Sequence, residues 1–230
     1  MSTTRRDVIP NQVFIGCPWK TVRSKYQEAV TNLKNKFPLS FVIVGRDQDQ
    51  DAEDLLTVIK GKLQSSSYAI FDATSGNANV SLEYGYSEAI DLPRTLYLSA
   101  HESSRKASKD SPIIADLAGK RQMRYKQTNR LKALLTAFAK NHNYTKQFEQ
   151  FFSRQYRKTS KGGKKRARSL ALKVIHSLDE QNKVRREDLV QDLLADQSRY
   201  SRKEIDQMIR NLNSAGLIIS AKGRYSTVSM

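Results

Sequence analysis

From Gln12 to Ala139, short apolar runs alternate with amphipathic stretches, and no other feature of the chain narrows its fold so far. Gln12–Ile15 (QVFI) reads as a strand, with Gly16, Pro18 and Trp19 in a tight turn after it. Tyr26, Val30, Leu33 and Phe37 then recur at helical spacing. Ser40–Val44 (SFVIV) is a second strand, ended by Gly45. The polar loop RDQDQ leads to Asp51, an N-cap for a helix with Leu55, Ile59 and Leu63 on one face. Tyr68–Asp72 (YAIFD) is the third strand; a loop of small residues and a helix from Val80 to Ala89 follow. Thr95–Leu98 (TLYL) is the fourth. After a polar stretch around Ser103–Asp110 and a short turn at Ile113–Leu117, Gln122–Tyr125 supplies a weaker fifth strand and Asn129–Ala139 a closing helix. Short apolar strands returned by helices imply a mostly parallel sheet covered on both faces. The ligand crevice of such a sheet lies beyond the carboxyl ends of its strands. The loops after Ile15, Val44, Asp72 and Leu98 therefore converge on one rim, and three of them carry unusual chemistry: GCPW, GRDQD and DATSGNAN.

The helix after the third strand carries two glutamates, which its geometry separates. Glu83, Tyr86 and Ser87 share a face at i, i+3 and i+4, whereas Glu88 lies about 140° round from Glu83. Only one of the two can face the crevice. In the first turn, Glu83 gains from the helix dipole and is expected to stay ionised. An ionised carboxylate beside an anomeric carbon acts as a nucleophile, or stabilises oxocarbenium-like charge when a glycosidic bond breaks. Asp72, at a strand end, suits orienting a sugar hydroxyl or assisting Glu83. Ser75, Gly76, Asn77 and Asn79 are small hydrogen-bonding residues suited to ribose or phosphate, and Tyr86 shares the face of Glu83 as a further substrate contact. A structural reading stands beside this one, with Asp72 capping its loop and Glu83 an ordinary first-turn acid. Trp19 reads either as a stacking platform for a base or as a buried aromatic closing the first helix. Cys17 has no histidine near it and reads as a small packing residue.

A single cysteine excludes an internal disulfide framework and fits a reducing compartment. His101, His142 and His176 are scattered, with no second Cys or HxxxH spacing, so neither a metal site nor another cofactor is expected. There is no apolar run of the ~20 residues that a membrane span needs. No signal-peptide core follows MSTTRRDVIP, so the expectation is a soluble, cytoplasmic chain without a membrane partner. Charge is more informative by position than in total. Residues 1–100 hold 11 Lys and Arg against 11 Asp and Glu, and residues 101–230 hold 29 against 12, so the net +17 lies wholly in the second stretch. That asymmetry points to a polyanionic partner for the basic end, nucleic acid (DNA or RNA) before anionic membrane.

Residues 141–167 read as a helical and basic linker, with Phe148, Phe151 and Phe152 on one face and KTSKGGKK as its flexible piece. From 168 to 230 the pattern tightens. Leu170, Leu172, Ile175 and Leu178 mark one helix, with His176 as a core histidine, and Leu189, Leu193 and Leu194 mark a second. Ser201 and Glu204 form a capping box opening a third helix, with Ile205, Met208, Ile209 and Leu212 inward and Gly216 as its C′ residue. LIIS, AKGR and YSTVS follow as strand, turn and strand. Three helices closed by a hairpin resemble a winged helix. It would present Arg202, Lys203, Gln207, Arg210 and Asn211 outward on its third helix, with Lys222 and Arg224 on the wing, for phosphate or base-edge contact. Protein interaction is the competing use of such a module.

A strand ending in Asp, a loop, and NxNVxxELGYA entering a helix is the pattern of nucleoside 2-deoxyribosyltransferase-like proteins and of neighbouring TIR-like nucleotide-binding proteins; FDATSGNANVSLEYGYSEA resembles it. VFIGCPW is similar to the first loop of that superfamily, and DLAGKRQMRYKQTNRLKALL to the closing strand and helix of TIR-like members. The resemblance spans residues 12–140 and implies a Rossmann-like (flavodoxin-like) α/β domain over 1–140, its sheet of about five strands mostly parallel, ahead of a small α+β winged-helix domain over 168–230. It also implies that Glu83 cleaves or transfers an N-glycosidic bond, with Asp72 assisting and Gly16, Pro18 and Trp19 forming the first loop. Asn77 stands where transferases usually carry a further aspartate, and EYGYS replaces ELGYA, so hydrolysis of a nucleotide or NAD and binding without turnover both stay open.

Two whole-chain expectations result. One is an N-glycosidase acting on a nucleotide, dinucleotide or NAD and tethered to nucleic acid. Its domain order resembles the toxic effectors of bacterial retron antiphage systems, which implies a nucleic-acid or nucleoprotein partner restraining it until infection. The other is a nucleotide-sensing regulator without catalysis, resembling ligand-sensing winged-helix proteins linked to CRISPR. Relatives that borrow residues from a neighbouring protomer leave room for a homo-oligomer.

Overall fold

The structure, a computed structural model, describes residues 6–44, 55–99, 120–181, 184–195, 200–221 and 224–227. The chain divides into two compact units, one of Met1–Val8, Gln12–Asn32 and Phe41–Ala137, the other of Ile9–Asn11, Leu33–Ser40 and Phe138–Met230. A five-stranded parallel sheet with flanking helices forms the α/β fold. Its elements are β1 (Ile9–Gly16), α1 (Arg23–Lys34), β2 (Ser40–Val42), α2 (Leu55–Ser65), β3 (Ser66–Asp72), α3 (Ala78–Ala89), β4 (Arg94–Ser99), β5 (Gln122–Tyr125) and α4 (Thr128–Asn141). The strand order β2-β1-β3-β4-β5 is the flavodoxin-like one, in which the chain leaves β1 toward one edge and β3 toward the other. The switch point, where sheets of this order bind ligands, therefore lies at the carboxyl ends of β1 and β3.

Alternation in the sequence becomes burial in the fold. Phe14, Phe71, Leu96 and Leu98 from the strands pack with Leu63 of α2 and with Val80 and Tyr84 of α3 in one apolar cluster. Each fully buried side chain of that size contributes about 1.5–3 kcal/mol, far more than any local propensity. Strand β1 begins three residues before the apolar run that announces it, because Asn11 and Gln12 are buried polar residues. The Gln12 amide is satisfied by Ser65 Oγ at 2.8 Å and Ser66 Oγ at 3.0 Å. Helix α3 begins two residues earlier than its periodicity suggests, and β2 stops at Val42. Gly45, the RDQDQ loop, the Asp51 cap, Ser103–Asp110 and Ile113–Leu117 lie outside the described residues.

The second unit carries α5 (Asn143–Gln155), α6 (Lys161–Gln181), β6 (Val184–Arg185), α7 (Arg186–Ala195), α8 (Arg202–Ser214), β7 (Ile218–Ala221) and β8 (Arg224–Thr227). Its three strands form an antiparallel sheet in the order β6-β8-β7. The succession from α6 to β8 is that of a winged helix, with β6 a two-residue strand too short to be read from periodicity. Leu170, Val174, Ile175 and Leu178 of α6 are buried, as are Leu189 and Leu193 of α7 and Ile205, Ile209 and Leu212 of α8. The KTSKGGKK stretch is not the flexible linker its composition suggests. Ser160 starts α6, its Oγ accepting from the Gly163 N–H at 3.2 Å and its carbonyl from the Lys164 N–H at 2.9 Å. His176 is buried, its Nε2 2.7 Å from the Lys34 carbonyl oxygen, as expected of a core histidine.

The capping box of α8 is complete. The Ser201 Oγ accepts from the Glu204 N–H, and the Glu204 carboxylate accepts from the Ser201 N–H at 2.8 Å. Ser201→Ala is expected to lower the unfolding free energy by about 1 kcal/mol in a denaturant titration; an unchanged midpoint would contradict a stabilising role for the cap.

Candidate active site

Three elements meet at the switch point. Gly16 ends β1, Phe71 lies in β3 and Glu83 projects from α3. A Cβ on Gly16 would lie 2.5 Å from Glu83 Oε2 and 2.7 and 2.9 Å from carbons of the Phe71 ring. The Glu83 carboxyl thus rests in the space that only a glycine leaves open. Glu83 is half-buried, and burial pushes its pKa up from 4.5 to about 7. This corrects the expectation of a carboxylate held ionised by the helix dipole. Asn77 caps α3, so Glu83 is the sixth residue of the helix. The dipole's effect falls off within the first turn, and desolvation wins. Glu88 faces elsewhere, paired with Arg94 at 2.7 Å and Lys120 at 2.8 Å, and hydrogen bonds from Lys120 and Arg94 hold its pKa down.

Asp72 is fully buried. The Tyr26 hydroxyl of α1 donates to its Oδ2 at 2.8 Å, the Tyr125 hydroxyl of β5 to the same oxygen at 2.6 Å, and the Thr74 N–H to Oδ1 at 2.9 Å. Burial raises its pKa and these hydrogen bonds pull it back. The turn after β3 is fixed in the same way, with Thr74 Oγ1 accepting from the Ser99 N–H at 2.8 Å and Tyr97 O from the Ala73 N–H at 2.9 Å. With no solvent exposure and three donors on it, Asp72 does not present itself to a sugar hydroxyl; here it positions the loop. Cys17 lies within the influence of both carboxylates. Burial first, then Asp72 and Glu83, push its thiol up to about 12, so it stays protonated and unreactive.

The first loop continues with Pro18, buried, and Trp19, which is 38% exposed. The Arg23 guanidinium lies 3.1 Å from the Trp19 ring centroid. Trp19 is therefore exposed, with Arg23 over its ring, and is not the buried closing aromatic. Ser75 (φ 67°) and Gly76 (φ 57°) follow one another in the left-handed region within the turn Thr74–Gly76, with Ser75 exposed. Asn77 departs from the expected substrate role. Its Oδ1 accepts from the Asn79 N–H at 3.0 Å and the Val80 N–H at 3.2 Å, which is the work of a helix cap. Asn79 is exposed on the first turn of α3. Tyr86 also departs: its hydroxyl accepts from Gln64 at 2.8 Å and Lys60 lies 5.8 Å from its ring, so it turns toward α2 and away from the Glu83 carboxyl.

On the winged-helix unit, the residues expected to meet nucleic acid are largely engaged with their neighbours. Arg202 is paired with Glu187, Arg210 donates to Gln207 at 3.0 Å, and Gln207 donates to Asn211 at 2.8 Å. Lys203 and Arg224 are exposed, and Lys222 lies outside the described residues. Sequence reasoning missed Tyr26, Thr74 and Tyr125 as the partners of Asp72, and Arg23 as the cation over Trp19. The available signal was a tyrosine on an apolar helix face, whose hydroxyl must find an acceptor when buried.

No protein-family model matches the sequence, and no curated protein matches it. Among the described residues no group of three or more His, Cys, Asp or Glu is placed to hold a metal ion, and no helix is long and apolar enough to cross a membrane.

Gly16→Ala sets a methyl group against the Phe71 ring, which is fully buried and cannot retreat. The expected loss is about 1–3 kcal/mol of unfolding free energy, read by thermal or denaturant melting. Wild-type stability in that variant would show that the close approach is not required.

Proposed function

We propose that the N-terminal unit is an N-glycosidase acting on a nucleotide, dinucleotide or NAD, with Glu83 at the anomeric carbon, and that the C-terminal unit contacts nucleic acid. The observation that carries this reading is the half-buried Glu83 carboxyl at the carboxyl ends of β1 and β3, resting on Gly16 and pushed up by burial to about 7. Catalytic acids, bases and nucleophiles need shifted pKa values, so a carboxyl perturbed by desolvation at such a position is a candidate for one. Above pH 7 the Glu83 carboxylate attacks the anomeric carbon, or shields positive charge on it, as the C–N bond breaks and its electron pair leaves with the base. A purine or pyrimidine base takes a proton from water, whereas nicotinamide leaves the pyridinium of NAD already neutral and takes none. A second water then attacks the glycosyl carbon, releasing the sugar and the free carboxylate. Low local polarity strengthens each of these interactions relative to water. Trp19 offers a stacking surface for the base, and the Arg23 charge beside it suits a phosphate.

In this reading the chain is a cytoplasmic antiphage effector, its activity governed by a nucleic-acid or nucleoprotein partner of the winged-helix unit. A nucleotide sensor without turnover is the second reading. It is favoured by the use of both Asp72 and Asn77 for structure, which leaves one acid at the rim.

The test is product analysis by chromatography and mass spectrometry after incubating wild type and Glu83→Gln with NAD and a panel of nucleoside mono- and triphosphates, with and without nucleic acid. Wild type is expected to release free base or nicotinamide, with kcat/KM rising through pH 7 to a plateau, and Glu83→Gln to lose at least ~10²-fold. No cleavage by wild type would favour the sensor, and equal cleavage by both would contradict the role of Glu83 at the anomeric carbon.

A further inference from the structure

Between the end of α5 and the second turn of α6, residues 151–168 contain eight Lys and Arg and no acid. Arg154, Arg157, Lys158, Lys161, Lys164 and Lys165 are all exposed. Among the described residues none of these six makes an ion pair. The helix at Ser160 places them on an ordered elbow, with Lys161, Lys164 and Lys165 on one face at i, i+3 and i+4. Helix stability does not account for this placement, since the first turn of a helix favours acids and α6 has none there.

The outward face of α8 is different. Its 13 residues hold three basic and two acidic side chains, and Arg202 is neutralised by Glu187. Arg186 holds Asp206 at 2.8 Å and Arg166 holds Glu204 at 3.0 Å. Among the described residues six cations without an acid partner thus lie on the elbow, against two, Lys203 and Arg210, on the helix expected to read a groove.

We infer that the α5–α6 elbow is the seat of a nucleic-acid phosphate backbone, bound without regard to base sequence. The inference rests on the proposal that the C-terminal unit contacts nucleic acid. Exposed lysines on a turn and one helix face, free of internal acids, release counterions when they neutralise phosphates. An anionic membrane is the other polyanion, and the elbow lacks the apolar side that interfacial binding needs. Phe148 and Phe152 are buried, and Phe151 and Tyr156 pack on the Phe152 ring at 5.0 Å each. The exposed large apolar side chains among the described residues, Trp19, Leu82 and Met123, all belong to the other unit.

The experiment is fluorescence anisotropy of the full chain with two unrelated duplexes across a salt series. Wild type is compared with a fourfold variant (K158Q, K161Q, K164Q, K165Q), its Lys→Arg counterpart at the same positions, and an α8 variant (K203Q, R210Q). Both duplexes are expected to bind alike. The fourfold Gln variant should lose at least ~10-fold in affinity and flatten the log–log salt slope by about 2–4. The Arg counterpart and the α8 variant should stay within about 2-fold of wild type, which separates lost charge from misfolding. Loss in the α8 variant with retention in the elbow variant would overturn the assignment while leaving nucleic-acid contact intact. No binding by wild type would overturn both, and wild-type binding only to vesicles of equal phosphatidylcholine and phosphatidylserine would replace nucleic acid with membrane.

Discussion

A carboxylate without access to water holds the rim together. Asp72 gives up its hydration, at a cost of several kcal/mol for an ionised group, and is stabilised only because Tyr26, Tyr125 and Thr74 donate to it. Those three donors come from α1, from β5 and from the turn after β3. The carboxyl ends of the strands and the start of the first helix are therefore tied to a single atom group. Removal of one donor leaves a buried carboxyl oxygen short of a partner, so the network acts as a unit. The loop from Ala73 to Asn77, with its left-handed Ser75, is held by this tie and not by its own preference.

Glu83 is the opposite case a short distance along the chain. Burial is the sole cause of its raised pKa, and no compensating hydrogen bond or cation accompanies that burial among the described residues. Its folded pKa lies above its ordinary value of 4.5, so its contribution to stability is present below that value and is lost as pH rises through about 7. One acid is spent on structure and its neighbour is left desolvated at the mouth of the crevice, which is how two carboxyl groups acquire different roles. A strand glycine keeps the arrangement possible, since any Cβ at Gly16 displaces either the carboxyl or the Phe71 ring.

Much of this was legible in the sequence where hydrophobic periodicity decides the outcome. The strands read as ending at Ile15, Asp72, Leu98 and Tyr125, within a residue of where they stop, the helices between them, and the winged-helix order apart from β6 follow from apolar spacing. The separation of the two glutamates of α3 was legible too, because Glu83 and Glu88 differ by more than a quarter turn and the second meets Arg94 and Lys120, whereas Tyr86, placed with Glu83, is held by Gln64 of α2. What escaped was long-range polar satisfaction. Tyr26 and Tyr125 reach Asp72 from 46 and 53 residues away, and a tyrosine on an apolar face looks like any other core aromatic. Asn77 has the residue type of a ligand contact and the geometry of a cap. Gly162 and Gly163 read as flexible, yet the cap at Ser160 and the apolar run from Leu170 draw the helix through them.

The fold holds the Glu83 carboxyl desolvated at the carboxyl ends of β1 and β3 and poised near neutrality. Carbon-13 NMR titration of the glutamate side-chain carboxyls, with the Glu83 resonance assigned by its absence in Glu83→Gln, measures this directly. An apparent pKa of about 7 for that resonance is the predicted result. A titration at 4.5, the ordinary glutamate value, would mean that the carboxyl is hydrated in solution and that the site as described does not exist.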